Sequence, residues 1–139
     1  TSTSEAGNGA CTGILTGAWD VIAIGTDNDN GNYALTGVSV ANQDKLVLLG
    51  NETSTSVGLE RGTATTKTWT NGTAATTTKL VLSKTFTSDS PRAHTIAESG
   101  LFNSTSVDAN GMLARQTFTD VSLSNGDSIT ITWTFTVGN

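Results

Sequence analysis

The sequence predicts an all-β protein, a single antiparallel β-sandwich of the jelly-roll or immunoglobulin-like kind with about seven or eight strands. The 139 residues include 27 Thr, 15 Gly, 14 Ser and 11 Asn. Threonine fits the pleated, half-buried surface of a sheet, whereas glycine and asparagine favour turns. Short alternating runs are separated by turn residues, and no segment carries an apolar stripe of helical period. Together these patterns indicate many short strands and no long helix.

The clearest strand lies at the C-terminus, where apolar residues alternate with threonine over residues 129–137. One face of this strand is therefore predicted to lie on a core. The preceding run, residues 112–123, ends at a turn sequence that contains Asn125 and Gly126. Since Asn-Gly favours the positive φ angles of a type I′ turn, the two runs are predicted to form a β-hairpin.

Five further strands are predicted upstream of this hairpin. Residues 80–87 alternate with one apolar face, and residues 19–24 and 45–49 form short buried strands. Residues 61–69 are rich in threonine and predict an edge strand or one with two polar faces. Residues 94–102 predict a strand that ends in an apolar pair.

The length corresponds to one domain, since domains typically hold roughly 100–200 residues. Residues 1–18 are rich in Gly, Ser and Thr and are predicted to form a flexible N-terminal arm. Residues 19–139 are predicted to form the single sandwich domain.

Composition excludes several functional classes. The net charge is −5 and only seven Lys and Arg are present, so no basic patch for nucleic acid is expected. No apolar run approaches the roughly 18 residues of a membrane span, so no membrane partner is expected. One cysteine and one histidine exclude an internal disulfide and argue against a transition-metal enzyme. No cofactor is expected.

Single residues offer only weak catalytic or metal-binding candidates. Asp27 and Asp29 lie in an Asp- and Asn-rich run, residues 27–32, whose oxygens could hold calcium. The run lacks EF-hand spacing, and a solvated turn explains it equally well. His94 is expected at the surface or in a turn, and Cys11 as a small packed hydrophobe. No carboxylate pair stands out, so no catalytic residue is predicted.

The tryptophans and the glycosylation patterns provide candidates for surface contacts. Trp19 and Trp133 are predicted to lie in the core, whereas Trp69 lies in a polar strand and is the candidate exposed aromatic for a subunit interface. Three asparagines fit the glycosylation acceptor pattern, namely Asn51, Asn71 and Asn103.

One ordered set of segments carries a family resemblance. Residues 95–103 contain E-S-G-L-F, residues 111–118 contain M-L-A-R, and residues 125–133 read N-G-D-S-I-T-I-T-W. This order strongly resembles a family of small structural proteins from tailed viruses of bacteria and archaea. In that family a strand and an E-x-G-L-F turn precede an M-L-A-R strand and a G-D-S/T hairpin into the last strand.

The resemblance is looser upstream. Residues 22–26 resemble an I-A-x-G-T segment of the family, and residues 59–61 resemble an L-x-x-E-x-x-R region. It spans residues 19–137 and is close over residues 80–137. The amphipathic N-terminal segment of the family is not recognisable in residues 1–18.

The resemblance implies a virion component without catalytic activity that assembles in many copies. Head decoration proteins, turrets or spikes, and tail or fibre parts all fit. The implied partners are copies of the chain itself and other virion proteins, such as major capsid or tail proteins, and the implied location is the virion.

Glu98 and Arg115 are the charged residues singled out by this pattern. They lie on neighbouring predicted strands, each beside apolar positions. We expect them to form a cross-strand ion pair that fixes the E-x-G-L-F turn against the M-L-A-R strand. The predicted role is structural.

Two other functional classes remain open at this stage. One is an extracellular filament or pilus-like subunit polymerised by strand complementation, with residues 1–18 as the donated arm; Ile14 and Leu15 are its short apolar piece. The other is a carbohydrate-binding adhesin module, in which Trp69, Tyr33 and residues 27–32 would contact a host-surface glycan.

Overall fold

The computed structural model describes residues 19–27, 49–53, 57–72, 78–106 and 111–137. These residues form seven β-strands and include no helix, hence none that could span a membrane. The strands are β1 (Val21–Gly25), β2 (Gly62–Thr63), β3 (Thr66–Thr70), β4 (Thr78–Thr87), β5 (His94–Phe102), β6 (Met112–Leu123) and β7 (Ser128–Val137). The predicted arm, residues 1–18, lies outside the described residues, as does the predicted strand at 45–49 except for Leu49.

The strands form two antiparallel sheets that pack on one another. The first sheet has the order β2-β1-β5-β6, and the second has the order β3-β4-β7. Ile22, Ile24 and Leu101 of the first sheet share a buried core with Leu82 and Phe86 of the second. The predicted antiparallel β-sandwich is therefore confirmed.

A second, smaller apolar cluster lies around β1 and β5 of the first sheet. It contains Val21, Ala23, Leu49 and Phe102, with Met112 packed against it. Because successive side chains point to opposite faces of a strand, Val21 and Ala23 face away from the neighbouring core residue Ile22. Both faces of β1 are therefore buried.

The threonine-rich run at residues 61–69 changes sheets partway along its length. The Ala64 amide donates to the Asp20 carbonyl beside the first sheet (2.7 Å), whereas the Thr65 amide donates to Ser83 in the second sheet (2.8 Å). The prediction of one strand is wrong, because this run forms two strands, β2 and β3. Each is an edge strand, as predicted, and the chain between them joins the two sheets along one side of the sandwich.

The predicted hairpin between β6 and β7 is also wrong. The turn itself is present, with Gly126 at φ 86° and the Asp127 amide donating to the Ser124 carbonyl (3.0 Å). However, β6 pairs with β5 and β7 pairs with β4, so the turn leads from one sheet into the other. Two backbone hydrogen bonds with Ser88, just after β4, anchor this turn beside the second sheet.

The predicted strand at residues 94–102 is confirmed as β5, so the run from Glu98 to Phe102 is a strand and not the turn that the family resemblance implies. It forms the second half of β5, between β1 on one side and β6 on the other. The register with β6 shifts between Ile96 and Glu98 and again between Leu101 and Phe102. Burial on both faces and pairing with two neighbours keep this segment extended despite its glycine at position 100.

Candidate functional site

Glu98 lies at the centre of a buried polar cluster on the first sheet. Its side chain is fully buried, and it accepts hydrogen bonds from the backbone amides of Gly50 (3.1 Å) and Asn51 (2.9 Å). The Arg115 Nε donates to Glu98 Oε2 at 2.7 Å. The structure therefore brings the predicted pair together, diagonally across β5 and β6, since Glu98 is opposite Thr117 and Arg115 is opposite Gly100.

Two glycines make room for residues that pack against the first sheet. A Cβ at Gly25 would lie against the Glu98 carboxylate and 2.7 Å from the Asn51 carbonyl oxygen. A Cβ at Gly100 would lie 2.8 Å from Leu49 Cδ2. Real Cβ atoms do not approach other atoms this closely, so glycine at both positions lets residues 49–53 pack against the first sheet.

Residues 51–53 and strand β2 both lie along the same edge of β1. The Thr26 amide donates to the Asn51 carbonyl (2.9 Å) and the Thr53 amide to the Ile24 carbonyl (3.0 Å). Further along that edge, β2 pairs with the first residues of β1. This edge is thus occupied by two pieces of chain separated by residues 54–61.

Arg61 and Glu52 lie at the two ends of the segment between these two pieces and form an ion pair. The Arg61 guanidinium donates from Nε (2.6 Å) and Nη2 (2.5 Å) to the two carboxylate oxygens of Glu52. It also lies 3.9 Å from the centre of the Phe102 ring and donates to the Ser104 carbonyl. The Arg61 side chain is fully buried, so bidentate pairing and ring stacking replace its contacts with water.

A third ion pair links the two sheets. Lys67 Nζ of β3 lies 2.6 Å from Asp20 Oδ2, immediately before β1, and Asp20 is buried. Neither this pair nor Glu52–Arg61 was predicted from the sequence. The one available signal was Asp20, a charged residue within an apolar run, since buried charges require partners.

These three ion pairs favour an architectural role for the carboxylates of Asp20, Glu52 and Glu98. Each accepts hydrogen bonds from a cation on a different segment of the chain. Gly25 makes room for the Glu98 carboxylate, and Arg115 donates to it. The three ion pairs connect segments of the chain that are distant in sequence.

Only one of the two aspartates of the calcium candidate lies within the described residues. Asp27 is half-buried, and its carboxylate lies 3.9 Å from Arg115 Nη2 and against Gly50. Asp29 lies outside the described residues. Within the described ranges, no group of three or more His, Cys, Asp or Glu is placed to hold a metal ion.

Trp69 is half-buried, like Trp19 and Trp133, so it is not the exposed aromatic that was expected, and its role at a subunit interface stays a prediction. It packs against the same core as Trp19 and Trp133, because the inner face of β3 places it opposite Leu80. Its Nε1 donates to the Asn71 Oδ1 at 2.6 Å.

The remaining sequence candidates lie on the surface or outside the described residues. Asn51 is exposed and donates from Nδ2 to Thr26, and Asn103 is half-buried beside Gly111. His94 is half-buried at the start of β5, with Nε2 2.9 Å from the Ser90 hydroxyl. Cys11 and Tyr33 lie outside the part of the chain that the structure describes.

The sandwich has an open side between β6 and β7. Among the described residues, each of these strands has a neighbour on one side only. A groove of about 350 Å³ lies between them, lined by Gln116 and Phe118 of β6, Ser99 of β5 and residues 130–134 of β7. The Trp133 Nε1 donates to the Ser99 hydroxyl (3.2 Å) and so links the two sheets beside this groove.

The two strands at the open side differ in charge and regularity. Strand β7 contains no charged residue, whereas β6 contains Arg115 and Asp120. The ten residue pairs between β4 and β7 run without a register shift, whereas the β5–β6 register shifts twice. Strand β6 also exposes Leu113 (52%) and Val121 (38%). We call the unpaired side of β7 the β7 edge.

Comparisons of this chain with protein-family models, with curated proteins and with solved structures found no match. The open side and the buried ion pairs are the features of the described residues that bear on function.

Proposed function

We propose that the chain is a non-enzymatic structural subunit of a tailed virus, present in many copies on the virion as a head decoration, turret or spike, or tail or fibre component. The observation that carries this proposal is the open side of the sandwich, where two long strands each have an unoccupied edge among the described residues. Such edges present backbone N–H and C=O groups to a neighbouring chain.

The chemistry of these strands supports assembly. Strand β7 has ten residues and no charge, and its outer face is a row of threonines. Natural proteins commonly protect edge strands with charges, prolines or bulges, and β7 has none of these. An edge without such protection is suited to a specific contact with another chain.

The buried cluster supports the proposal in a second way. Three of the residues that carry the family resemblance, Gly25, Glu98 and Arg115, meet at the Glu98 carboxylate. A family that shares these residues would share this strand arrangement. The resemblance is thus explained by architecture, in agreement with a structural protein.

An extracellular filament subunit is the second candidate, and the groove between β6 and β7 favours it. Strand complementation fills a gap between two edge strands with an extended segment from a neighbour. Phe118 and Trp133 at this groove would contact the apolar side chains of such a segment.

Two measurements together test the proposal. Size-exclusion chromatography with light scattering gives the mass of the purified full chain, and electron cryo-microscopy of the source material locates it. We expect a small oligomer in solution and the chain bound to capsids or tails. Filaments formed by the pure protein, with no viral particle in the source, would overturn the virion proposal and support the filament subunit.

A glycan array distinguishes the adhesin class. Sugar binding by the isolated monomer, reduced by Trp69→Ala, would contradict a purely structural function. The virion proposal expects no such binding from a decoration component.

A further inference from the structure

We infer that the β7 edge pairs with the β7 edge of a second copy, antiparallel and about a two-fold axis at Thr132, so that two three-stranded sheets become one of six strands. The inference rests on the proposed function in one respect, namely that the chain associates with itself. It adds the partner, the strand and the register of that contact.

The absence of charge on β7 favours a second copy as the occupant. The chain has a net charge of −5, so two copies repel each other through this net charge. Strand β7 has no charged residue from Ser128 to Val137, and antiparallel self-pairing places no like charges opposite each other there. Strand β6 carries the exposed carboxylate of Asp120.

The alternation of β7 is compatible with antiparallel self-pairing. Even-numbered positions from 130 to 136 are threonines, and odd-numbered positions from 129 to 135 are apolar. With Thr132 opposite Thr132 of the second copy, every even residue meets an even residue and every odd residue meets an odd one. On one face of the extended sheet threonines therefore lie beside threonines, and on the other face apolar residues lie beside apolar residues.

This register also gives favourable side-chain pairs. Trp133 comes opposite Ile131 of the second copy, and Phe135 comes opposite Ile129. Aromatic side chains paired with β-branched ones across an antiparallel ladder are stabilising. A two-fold axis at Trp133 would instead place the two tryptophans opposite each other.

The threonine face of β7 already makes the kind of contact that the second copy would make. In the existing ladder, the Thr85 and Thr130 hydroxyls lie 2.8 Å apart, and those of Thr87 and Ser128 lie 2.7 Å apart. Strand β4 is thus a hydroxyl-bearing partner on one side of β7. A second β7 would offer the same hydroxyl chemistry on the other side.

The regularity of β7 distinguishes it from β6. Bulges and register shifts twist an edge away from a partner, and β6 has two such shifts against β5. Strand β7 holds ten consecutive pairs with β4 without one. A flat, uninterrupted edge of that length suits pairing with an identical strand.

The first test compares two threonine-to-lysine variants of the full chain. Thr132 and Thr68 are both exposed and lie on the same face of the second sheet, at its opposite edges. Thr132→Lys places two like charges opposite each other at the two-fold axis and is expected to weaken dimerisation by about tenfold or more. Thr68→Lys, which adds the same charge elsewhere, is expected to leave the dimer affinity within about twofold. Sedimentation equilibrium measures both, and equal effects of the two variants would overturn the inference.

The second test does not depend on the lysine variants folding. In a Cys11→Ala background, Thr132→Cys places two thiols opposite each other, within the Cα separation that disulfides span. Mild oxidation is expected to give a covalent dimer with Thr132→Cys and none with Thr68→Cys. Cross-linking at position 68 and not at 132 would contradict the inference.

Hydrogen exchange on a dilute, monomeric sample tests whether another part of the same chain already covers the β7 edge. Every second amide of β7 points away from β4, and we expect these amides to exchange rapidly in the monomer and slowly in the dimer. Slow exchange in the monomer would show that the same chain covers the edge, and would overturn the inference. If dimers form through β7 but no virion contains the protein, the proposed function fails and the inference stands.

Discussion

Glu98 accepts hydrogen bonds from two peptide amides and one guanidinium, although none of its side-chain surface reaches solvent. A buried carboxylate is strongly disfavoured unless such donors replace water. The donors come from residues 50–51 and from β6, so one side chain connects three segments of the first sheet. Loss of this carboxylate would remove three hydrogen bonds at the same time, those from the two backbone amides and the one from Arg115 Nε.

We predict that Glu98→Ala lowers the free energy of unfolding by about 3–5 kcal/mol, because a nearly buried Arg115 loses its hydrogen-bonded partner at 2.7 Å and keeps only the longer 3.9 Å contact with Asp27. Glu98→Gln retains one acceptor oxygen and is expected to lose less. Urea denaturation followed by tryptophan fluorescence gives these values. The control Asp89→Ala removes an exposed carboxylate and is expected to change stability by less than about 0.5 kcal/mol. A loss as small as that of the control would show that the ion pair does not stabilise the fold.

Gly25 is the residue whose replacement tests the packing around this carboxylate. Gly25→Ala adds a methyl group against Glu98 and the Asn51 carbonyl, and we expect a loss of about 1–3 kcal/mol from overpacking. Gly62→Ala is the matched control on the neighbouring strand, since its Cβ would meet only the flexible end of Lys84. Thermal unfolding of both variants by circular dichroism measures the difference. Equal melting temperatures for the two variants would contradict the crowding at position 25.

At the scale of strands, the alternation of apolar and polar residues was sufficient to locate β4, β5, β6 and β7. It was not sufficient to assign them to sheets. Asn125-Gly126 predicts that the chain reverses, and it does, but a reversal is equally compatible with a hairpin and with a passage between sheets. The two arrangements differ in the partners of β6 and β7, which lie far away in sequence.

The same limit applies to the candidate site. Glu98 and Arg115 could be paired from the sequence because each lies on one of two consecutive strands. Glu52 and Arg61 lie on either side of a segment without a strand pattern, and Asp20 meets Lys67 only because the chain changes sheets at Ala64 and Thr65. These contacts depend on the tertiary arrangement of the chain, and the local periodicity of the sequence does not predict that arrangement.

The turn between β6 and β7 provides a prediction at this scale. Gly126 has φ 86°, and a Cβ there would meet nothing within 4 Å, so its conformation alone requires glycine. We expect Gly126→Ala to cost about 1–2 kcal/mol, and Gly126→Asn to cost less because asparagine tolerates the left-handed region. Denaturant unfolding of the two variants gives the comparison. Equal losses would indicate that the turn adopts another conformation in solution.

At the scale of the whole molecule, a chain with a net charge of −5 carries one ten-residue strand, β7, that has no charged residue. Repulsion between copies acts over the Debye length, which falls from about 30 Å at 0.01 M salt to about 10 Å at 0.1 M. We therefore predict that added sodium chloride strengthens self-association of the chain, as measured by light scattering over a concentration series. Thr132→Lys is expected to remain less associated than Thr68→Lys at every salt concentration. Weaker association at high salt would indicate an interface built on ion pairs.

The position of β1 has a consequence for synthesis of the protein. Strand β1 lies in the middle of the first sheet, and its partner β5 follows it by roughly 80 residues, with Val21 opposite Phe102. At about 5–20 residues per second, a ribosome takes roughly 4–16 s to make that partner. During that interval the apolar residues of β1 lack the strand that buries them, so folding of the first sheet must wait for the second half of the chain.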